Sequence, residues 1–234
     1  MGPAAAADFY ARVVAAHGAL RDQDHPPCIL YSATQVPDRT AFLLEGGADP
    51  TPELTAAASL LEAAGADFIA IPCNSAHAFL PAIRAAVDIP VLDMVALAAA
   101  TVVRVVPQAH RIGVLATSGT VDVKLYSGPL RAAGLDPMYP KPAVQAEVMG
   151  AIKDIKAGAA SPGRASDPRL LAAAEHLSER GADCIIMGCT EIPLALDGAD
   201  SPVVAIDGNQ VLVDTTLALA VGRLDFEELD FAVR

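Results

Sequence analysis

The chain has 234 residues, of which 53% are hydrophobic, 19% are charged and 4% are aromatic. This composition excludes an intrinsically disordered protein, and no apolar run reaches the roughly 18 residues that a membrane span needs. The net charge of −12, without a cluster of Lys and Arg, makes a nucleic acid a poor candidate for a partner.

Apolar runs alternate with helical periodicity along the whole chain, which predicts an α/β protein with parallel strands. In chain order, the predicted elements are helix 4–17, strand 28–33, helix 52–64, strand 68–72, helix 75–87, strand 91–94, helix 95–106, strand 111–116, helix 121–133, strand 136–139, helix 144–157, helix 168–180, strand 183–188, strand 203–206 and helix 210–222. The segment SPGRASD (161–167) is the best candidate for an exposed loop.

Two of the predicted strands belong to an internal repeat. Residues 65–74 read GADFIAIPCN and residues 181–190 read GADCIIMGCT, with five of ten positions identical, including the Cys that ends each strand. Each copy follows a predicted helix and precedes another short strand, IPVLDM (89–94) or SPVVAID (201–207). We therefore expect one α/β unit used twice.

The repeat defines the expected architecture as two pseudo-symmetric, three-layer α/β/α halves whose parallel sheets face a shared cleft. The first half comprises residues 1–98 and 207–234, and the second comprises residues 99–206. In the second half, RIGVLAT (111–117) is a strand that leads into a helix. Its counterpart in the first half would lie before Met1, so we expect that the first strand of this half is missing from the sequence.

The four cysteines Cys28, Cys73, Cys184 and Cys189 are spread through the chain without the spacing of a small disulfide scaffold. The N-terminus also lacks a basic region followed by an apolar stretch, which argues against a secretory signal. These features predict reduced thiols in a cytoplasmic protein. Cys184 is an odd number of residues before Cys189, so the two side chains should point to opposite faces of the sheet.

Cys73 and Cys189 both end a strand, and ligands of open α/β sheets bind at the carboxyl ends of the strands. Two opposed, equivalent acid/base groups suit the inversion of a stereocentre, because one thiolate removes a proton while the other thiol donates one on the opposite face. Since the reaction is close to thermoneutral, we expect two chemically similar thiols. A thiol has a free pKa of about 8.5, and its thiolate is favoured near a helix N-terminus.

The motifs PCNSAHAF (72–79) and GCTEIP (188–193) resemble the paired motifs of the aspartate/glutamate racemase superfamily, which are cofactor-independent amino-acid racemases. Glu191 after the Thr is similar to the aspartate racemase branch, whereas the glutamate branch has a His there. Further similarity is found at GP (2–3), DFY (8–10), VPDRT (36–40), ATSGT (116–120), VM (148–149) and IKAG (155–158).

The resemblance implies roles for individual residues. Cys73 and Cys189 would be the two catalytic bases. The substrate α-carboxylate would be bound by Asn74, Ser75, Thr117 and Thr190. The distal carboxylate of a dicarboxylic substrate would be bound by Arg39 and Lys156. The family also implies a homodimer and an acidic amino acid as the small-molecule substrate, and it implies no cofactor.

Several of these residues have ordinary structural interpretations as well. His77 could tune Cys73 from one helical turn away, or it could cap or pack, and Asp38 and Glu191 could support the site or be cap and surface residues. Arg39 and Lys156 could also be surface residues. A zinc site of Cys73, His77 and Cys189 is disfavoured because the sequence lacks a convincing pair of ligand motifs, so no metal is predicted.

The sequence thus predicts an isomerase of D-amino-acid metabolism, an amino-acid racemase that interconverts L- and D-aspartate by a two-thiol, two-base mechanism. By analogy with the family, Cys189 would deprotonate the L-form and Cys73 the D-form. One alternative keeps the scaffold but acts on glutamate, a broader set of amino acids, or maleate. The other is a non-catalytic protein that binds an acidic metabolite.

Overall fold

The computed structural model describes residues 1–159 and 165–233, apart from the side chains of Ala159 and Asp230. The chain divides into two compact units, one consisting of Met1–Met94 and Asn209–Arg234 and the other of Val95–Gly208. Part of the predicted loop, residues 161–164, lies outside the described residues, and residues 165–167 form neither helix nor strand.

Helices account for most of the regular structure, as the Ala-rich composition favours. They are α1 (Pro3–His17), α2 (Arg39–Glu45), α3 (Thr51–Ala63), α4 (Leu80–Ala85), α5 (Met94–Val105), α6 (Ser118–Asp122), α7 (Ser127–Ala132), α8 (Pro142–Asp154), α9 (Pro168–Glu179), α10 (Gly208–Ala220) and α11 (Asp230–Val233). Short 3₁₀ helices span Asp22–Asp24, Asn74–Phe79, Ile192–Leu194, Gly198–Asp200 and Phe226–Leu229, and a π-helical turn spans Ile155–Ala159.

The second unit contains a four-stranded parallel sheet. Its strands β1 (Arg111–Ala116), β2 (Asp136–Met138), β3 (Cys184–Gly188) and β4 (Val204–Asp207) are arranged in the order β2-β1-β3-β4. Five consecutive residues of β1 and all of β3 are buried. Because successive side chains point to opposite faces, both faces of these strands are covered. The predicted α/β class, with a parallel sheet flanked by helices, is confirmed.

The core of the second unit joins one face of this sheet to α8 and α9. Leu115, Ile185 and Met187 pack in one cluster with Val148 of α8 and Leu177 of α9. The side chain of Cys189 belongs to the same cluster, whereas the buried Cys184 does not. This agrees with the expectation that the two cysteines point to opposite faces.

The first unit differs from the predicted arrangement of strands. Within the described residues, its strand pairing is a single parallel bridge between Ile69 and Val91, and the predicted strand 28–33 is wrong. The N-terminal nitrogen of Met1 donates to Ala33 O at 3.2 Å, which is a single contact and not a strand pair. Residues 28–33 and 66–72 both line a cavity of about 320 Å³, and no ladder joins the two segments in the described part of the chain. In the second unit, β1 occupies the corresponding place between β2 and β3.

Two predicted helices are also interrupted. The predicted helix 75–87 begins as the 3₁₀ helix Asn74–Phe79 and becomes α-helical only over α4. The predicted helix 121–133 is divided into α6 and α7, because Lys124 between them adopts a left-handed backbone conformation with φ 52°.

The internal repeat is visible in the hydrogen bonds that end α3 and α9. Gly65 and Gly181 both have left-handed backbones, with φ 90° and 88°. After α3, Ala66 N–H donates to Leu61 O at 3.1 Å, and after α9, Ala182 N–H donates to Leu177 O at 3.0 Å. This six-to-one bond closes a helix end of the Schellman type, which requires the glycine. The same cap thus precedes each strand that leads to a cysteine.

Candidate active site

Cys73 follows the extended segment that begins at the bridge residue Ile69, and it directly precedes a 3₁₀ helix. Its backbone is extended (φ −157°, ψ 104°), and it forms the N-cap of Asn74–Phe79. Its side chain is half-buried, with Ser75 Oγ 3.7 Å from Sγ. Asn74 and Ser75 are buried beside it. The first unit therefore brings three of the predicted site residues together at one strand end.

Arg39 is a buried residue rather than a surface arginine, with 5% of its surface exposed. It opens α2, whose N-cap is Asp38, because Asp38 Oδ1 accepts a hydrogen bond from Ala41 N–H at 2.8 Å. Arg39 Nη1 donates to the carbonyl oxygens of Val36 at 3.2 Å and Pro37 at 2.8 Å. These contacts hold the guanidinium in one orientation.

The other edge of this guanidinium faces Cys73. Nη2 of Arg39 lies 4.0 Å from the Cys73 sulfur, and Nε is buried without a hydrogen-bond partner in the described part of the chain. Nε and Nη2 together form a fork of two parallel N–H donors, the geometry that matches a carboxylate. The first unit thus holds a fixed cationic fork next to a thiol.

His77 links the Cys73 turn to the start of α5. Its Nδ1 lies 3.0 Å from Cys73 O, and its Nε2 accepts a hydrogen bond from Met94 N–H at 3.1 Å. Nε2 also lies 3.3 Å from Leu92 O. In the tautomer whose Nε2 accepts from Met94 N–H, the ring proton is on Nδ1, which donates to Cys73 O. His77 contacts the backbone of Cys73 and not its sulfur, so it acts on the position of the thiol.

Cys189 follows directly after β3 and is 5% exposed. Its Sγ donates a hydrogen bond to Glu191 Oε2 at 3.0 Å, and Thr190 Oγ1 donates to the same oxygen at 3.4 Å. Burial raises the pKa of the Cys189 thiol well above its ordinary value, and the negative charge of Glu191 raises it further. In this environment the thiol is the stable form.

Lys156 is exposed on the π-helical turn that continues α8. Its positive charge lowers the pKa of Cys189 and so opposes part of the effect of Glu191. Lys156 therefore interacts with the Cys189 thiol through its charge. Thr190, another residue predicted to bind substrate, is buried and directly follows Cys189.

Thr117 lies at the end of β1, next to the strand that carries Cys189. It is buried and forms the N-cap of α6, with its Oγ1 accepting from Thr120 N–H at 3.3 Å and 3.0 Å from Thr120 Oγ1. Ala116, the residue before it, is in register with Gly188, the residue before Cys189. The carboxyl ends of β1 and β3 thus bring Thr117 and Cys189 to the same edge of the sheet.

Gln145, a buried residue of α8 at this same edge, was not among the predicted site residues. Its Nε2 donates to Ala116 O at 2.9 Å and lies 3.4 Å from Ser118 Oγ. A signal was present in the sequence, because Gln145 shares the helical spacing of the apolar residues Val148 and Ile152 that face the core. A polar residue on such a face is unusual and indicates a specific contact.

The two thiols therefore have unlike surroundings, in contrast to the expected chemical similarity. A guanidinium lies next to Cys73, whereas a carboxylate accepts the hydrogen bond of Cys189. The Glu191 carboxylate retains a proton on Cys189, whereas the Arg39 guanidinium presents N–H donors beside Cys73.

Among residues 1–159 and 165–233, no group of three or more His, Cys, Asp or Glu side chains is arranged to hold a metal ion. In the same part of the chain, every helix is too short or too polar to span a lipid bilayer.

Residues 1–216 match the family of Asp/Glu/hydantoin racemases. The chain belongs to this family. This racemase is accordingly an isomerase, an amino-acid racemase. It is 28% identical over 229 residues to the broad specificity amino-acid racemase RacX of Bacillus subtilis (strain 168), and the match covers 93% of this chain and 94% of that protein.

Solved structures give a similar result. The aspartate racemase of Picrophilus torridus is 25% identical to this racemase and superposes with a TM-score of 0.76, covering 97% of this chain and 93% of its own. The glutamate racemase isoform RacE1 of Bacillus anthracis is 17% identical, with a TM-score of 0.59 and coverage of 94% and 79%. At that identity the second likeness shows the shared fold alone.

Proposed function

We propose that this racemase interconverts L- and D-aspartate without a cofactor, using Cys73 and Cys189 as its two bases. The observation that carries the proposal is the internal repeat, which gives each unit a cysteine at an equivalent strand end. Inversion of a stereocentre needs one group that removes the α-proton and a second that protonates the opposite face. A duplicated thiol supplies both groups.

The protons in this mechanism balance without any other reactant. In one direction the Cys73 thiolate accepts the α-proton of the D-form, the Cα–H bond breaks, and its electron pair is delocalised into the α-carboxylate. The Cys189 thiol then donates its proton to the opposite face of Cα and becomes a thiolate. After one turnover the two sulfurs have exchanged protonation states, and the reverse reaction starts from Cys189.

A dicarboxylic substrate is supported by the cations of the two units. The Arg39 fork has two N–H donors directed alike beside Cys73, which suits a carboxylate, and Lys156 adds a second positive charge near Cys189. The protein carries a net charge of −12, so local cations rather than overall attraction must bind an acidic substrate. We assign the α-carboxylate to Asn74, Ser75, Thr117 and Thr190.

Aspartate is also the substrate named for the Picrophilus torridus relative, and the Glu191 motif is of the aspartate racemase type. A broader set of amino acids is the second candidate, favoured by the likeness to a broad specificity racemase over 93% of the chain. Assays of D- and L-aspartate, glutamate and a panel of neutral amino acids distinguish the two.

We further propose a homodimer in a reducing, cytoplasmic environment. Light scattering of the purified protein would test the homodimer, and cell fractionation would test the environment.

The decisive experiment is incubation of the purified enzyme with L-aspartate in D2O without added cofactor. We expect D-aspartate to form with deuterium at Cα. Replacement of Cys73→Ser or Cys189→Ser should nearly abolish racemisation, whereas Cys28→Ser, a change at an exposed thiol, should retain it. Deuterium exchange without inversion in the wild type would show a single working base, and no exchange with any acidic amino acid would refute the proposed substrate class.

A further inference from the structure

One group of the substrate, its α-ammonium group, has no partner assigned to it in the proposed site. Two thiols act on the α-proton, and the assigned cations and hydroxyls bind the two carboxylates. The α-ammonium group of an amino acid carries three N–H donors, and these require acceptors when the group is taken out of water.

Gln145 has an acceptor available in the described part of the chain. The residue is 8% exposed, and its Oε1 is buried without a hydrogen-bond partner. The orientation of the amide is set by its other end, because Nε2 donates to Ala116 O at 2.9 Å. Turning the amide over would bring two acceptor oxygens into contact, so the unpaired atom is the oxygen.

The sheet topology explains why this amide lies at the site. β2 pairs with β1 over Arg111–Gly113, and within the described part of the chain residues 114–116 have no ladder on that side. The Gln145 amide caps the last carbonyl of β1 at this gap. On the other side, Ala116 is in register with Gly188, and neighbouring strands lie about 4.8 Å apart. Gln145 and Cys189 thus lie at the same edge of the sheet.

Glu191 is another buried acceptor at this edge, but its Oε2 already accepts hydrogen bonds from Cys189 and Thr190. Leaving a buried carbonyl oxygen unpaired destabilises a folded protein, so such an atom indicates a donor that arrives with a ligand. We propose that Gln145 Oε1 accepts a hydrogen bond from the α-ammonium group of the substrate and thereby orients its Cα–H bond relative to Cys189. This inference rests on the proposed amino-acid racemase function.

The test compares a substrate with an analogue that lacks only the ammonium group. Succinate has both carboxylates of aspartate but no amine, so its inhibition constant reports carboxylate binding alone. Gln145→Met removes the acceptor and the donor while keeping the shape of the side chain. We expect kcat/KM for L-aspartate to fall by about ten-fold or more, while the inhibition constant of succinate changes by less than about three-fold.

Gln145→Glu is the matched control. This variant also loses the hydrogen bond to Ala116 O, but it keeps an acceptor oxygen. Its kcat/KM for L-aspartate, compared with its inhibition constant for succinate, should therefore not show the selective loss expected for Gln145→Met. Gln145→Asn withdraws the acceptor by one methylene and gives a second measurement if Gln145→Met does not fold. Equal losses for aspartate and succinate in the Met or Asn variant would mean that Gln145 is only structural, which overturns this inference alone. A wild type that racemises no amino acid would overturn the proposed function and this inference together.

Discussion

The carboxylate of Glu191 and the thiol of Cys189 form a direct hydrogen bond, with Oε2 3.0 Å from Sγ. Both side chains are buried, at 4% and 5% exposure. The bond and the negative charge stabilise the protonated thiol, in addition to the effect of burial. Cys73 has no such carboxylate among its described contacts, and Arg39 lies beside it instead.

Glu191→Gln should therefore lower the pKa of Cys189, because the amide carries no negative charge. Burial persists in the variant, so the pKa should stay above its ordinary value. We expect alkylation of Cys189 by iodoacetamide, followed against pH by peptide mass spectrometry, to begin at lower pH than in the wild type. The exposed thiol of Cys28 is an internal standard whose pH profile should not change.

Glu147→Gln is the matched control for this experiment, since Glu147 is exposed on α8. It should leave the Cys189 profile unchanged. An unaltered profile in Glu191→Gln would mean that burial alone holds the proton on this thiol.

Arg39→Lys should weaken substrate binding although it keeps the positive charge. Lysine offers a point charge and cannot present the two parallel donors of Nε and Nη2. It also cannot maintain both contacts of Nη1 with the carbonyls of Val36 and Pro37. We expect kcat/KM for aspartate to fall by roughly 10- to 150-fold, which corresponds to about 1.5–3 kcal/mol for a charged hydrogen bond.

Arg21→Lys provides the comparison for this change. Arg21 is exposed and pairs with Asp24 at 2.6 Å on the surface of the same unit. Its replacement should leave kcat/KM unchanged, because exposed ion pairs contribute little. Wild-type kcat/KM in Arg39→Lys would exclude a bidentate role for this guanidinium.

His77→Phe should reduce both stability and turnover. The ring fills the same space, but Met94 N–H loses its acceptor, and Cys73 O keeps only the hydrogen bond that Ala76 N–H donates to it. One buried N–H without a partner should lower the free energy of unfolding by about 1–3 kcal/mol, measured by urea denaturation. kcat should also fall under conditions where the protein is fully folded, because the Cys73 turn is no longer fixed.

The same substitution at an exposed histidine shows whether a loss in His77→Phe depends on the location of His77 or follows from any change of His to Phe. His110→Phe lies on the surface just before β1 and should keep wild-type kcat. If His77→Phe lowered stability but left kcat of the folded protein unchanged, the positioning role of His77 would be wrong.

These residues also show which parts of the site are predictable from sequence. The placement of Cys73 and Cys189 at strand ends follows from local patterns, because each strand is preceded by a helix end that needs glycine. Strand 28–33 was wrong because a strand depends on a neighbour that is distant in sequence, and no ladder joins this segment to another in the described part of the chain. The acceptor of Gln145 could not be predicted, because it is defined by a tertiary contact with Ala116.

The charge and burial around the site residues also depend on tertiary contacts, so local sequence patterns do not predict them. The sequence left a surface position open for Asp38 and Arg39, although the resemblance assigned Arg39 to the substrate. In the structure Asp38 is the N-cap of α2, and Arg39, the first residue of that helix, is buried. The expected similarity of the two thiols followed from a reaction that is close to thermoneutral, which does not describe the side chains around each thiol. The hydrogen bond between Cys189 and Glu191 is specific to the second copy, where the sequence reads CTE rather than CNS.

A substitution at Gly188 tests whether close packing at the end of β3 controls the position of Cys189. A Cβ added at Gly188 would lie 3.0 Å from Tyr126 Cε2 and 3.2 Å from both Ala116 Cβ and Leu115 O. These neighbours are buried in β1 and beside it, so they have little room to move. Gly188→Ala should lower the free energy of unfolding by about 1–3 kcal/mol, and it should lower kcat because the next residue, Cys189, is displaced.

Gly128→Ala is the control, since a Cβ there meets no atom within 4 Å and the residue lies in α7. Urea denaturation and aspartate racemisation should show a loss in Gly188→Ala and none in Gly128→Ala. Full activity in Gly188→Ala would mean that the end of β3 can shift without affecting the reaction.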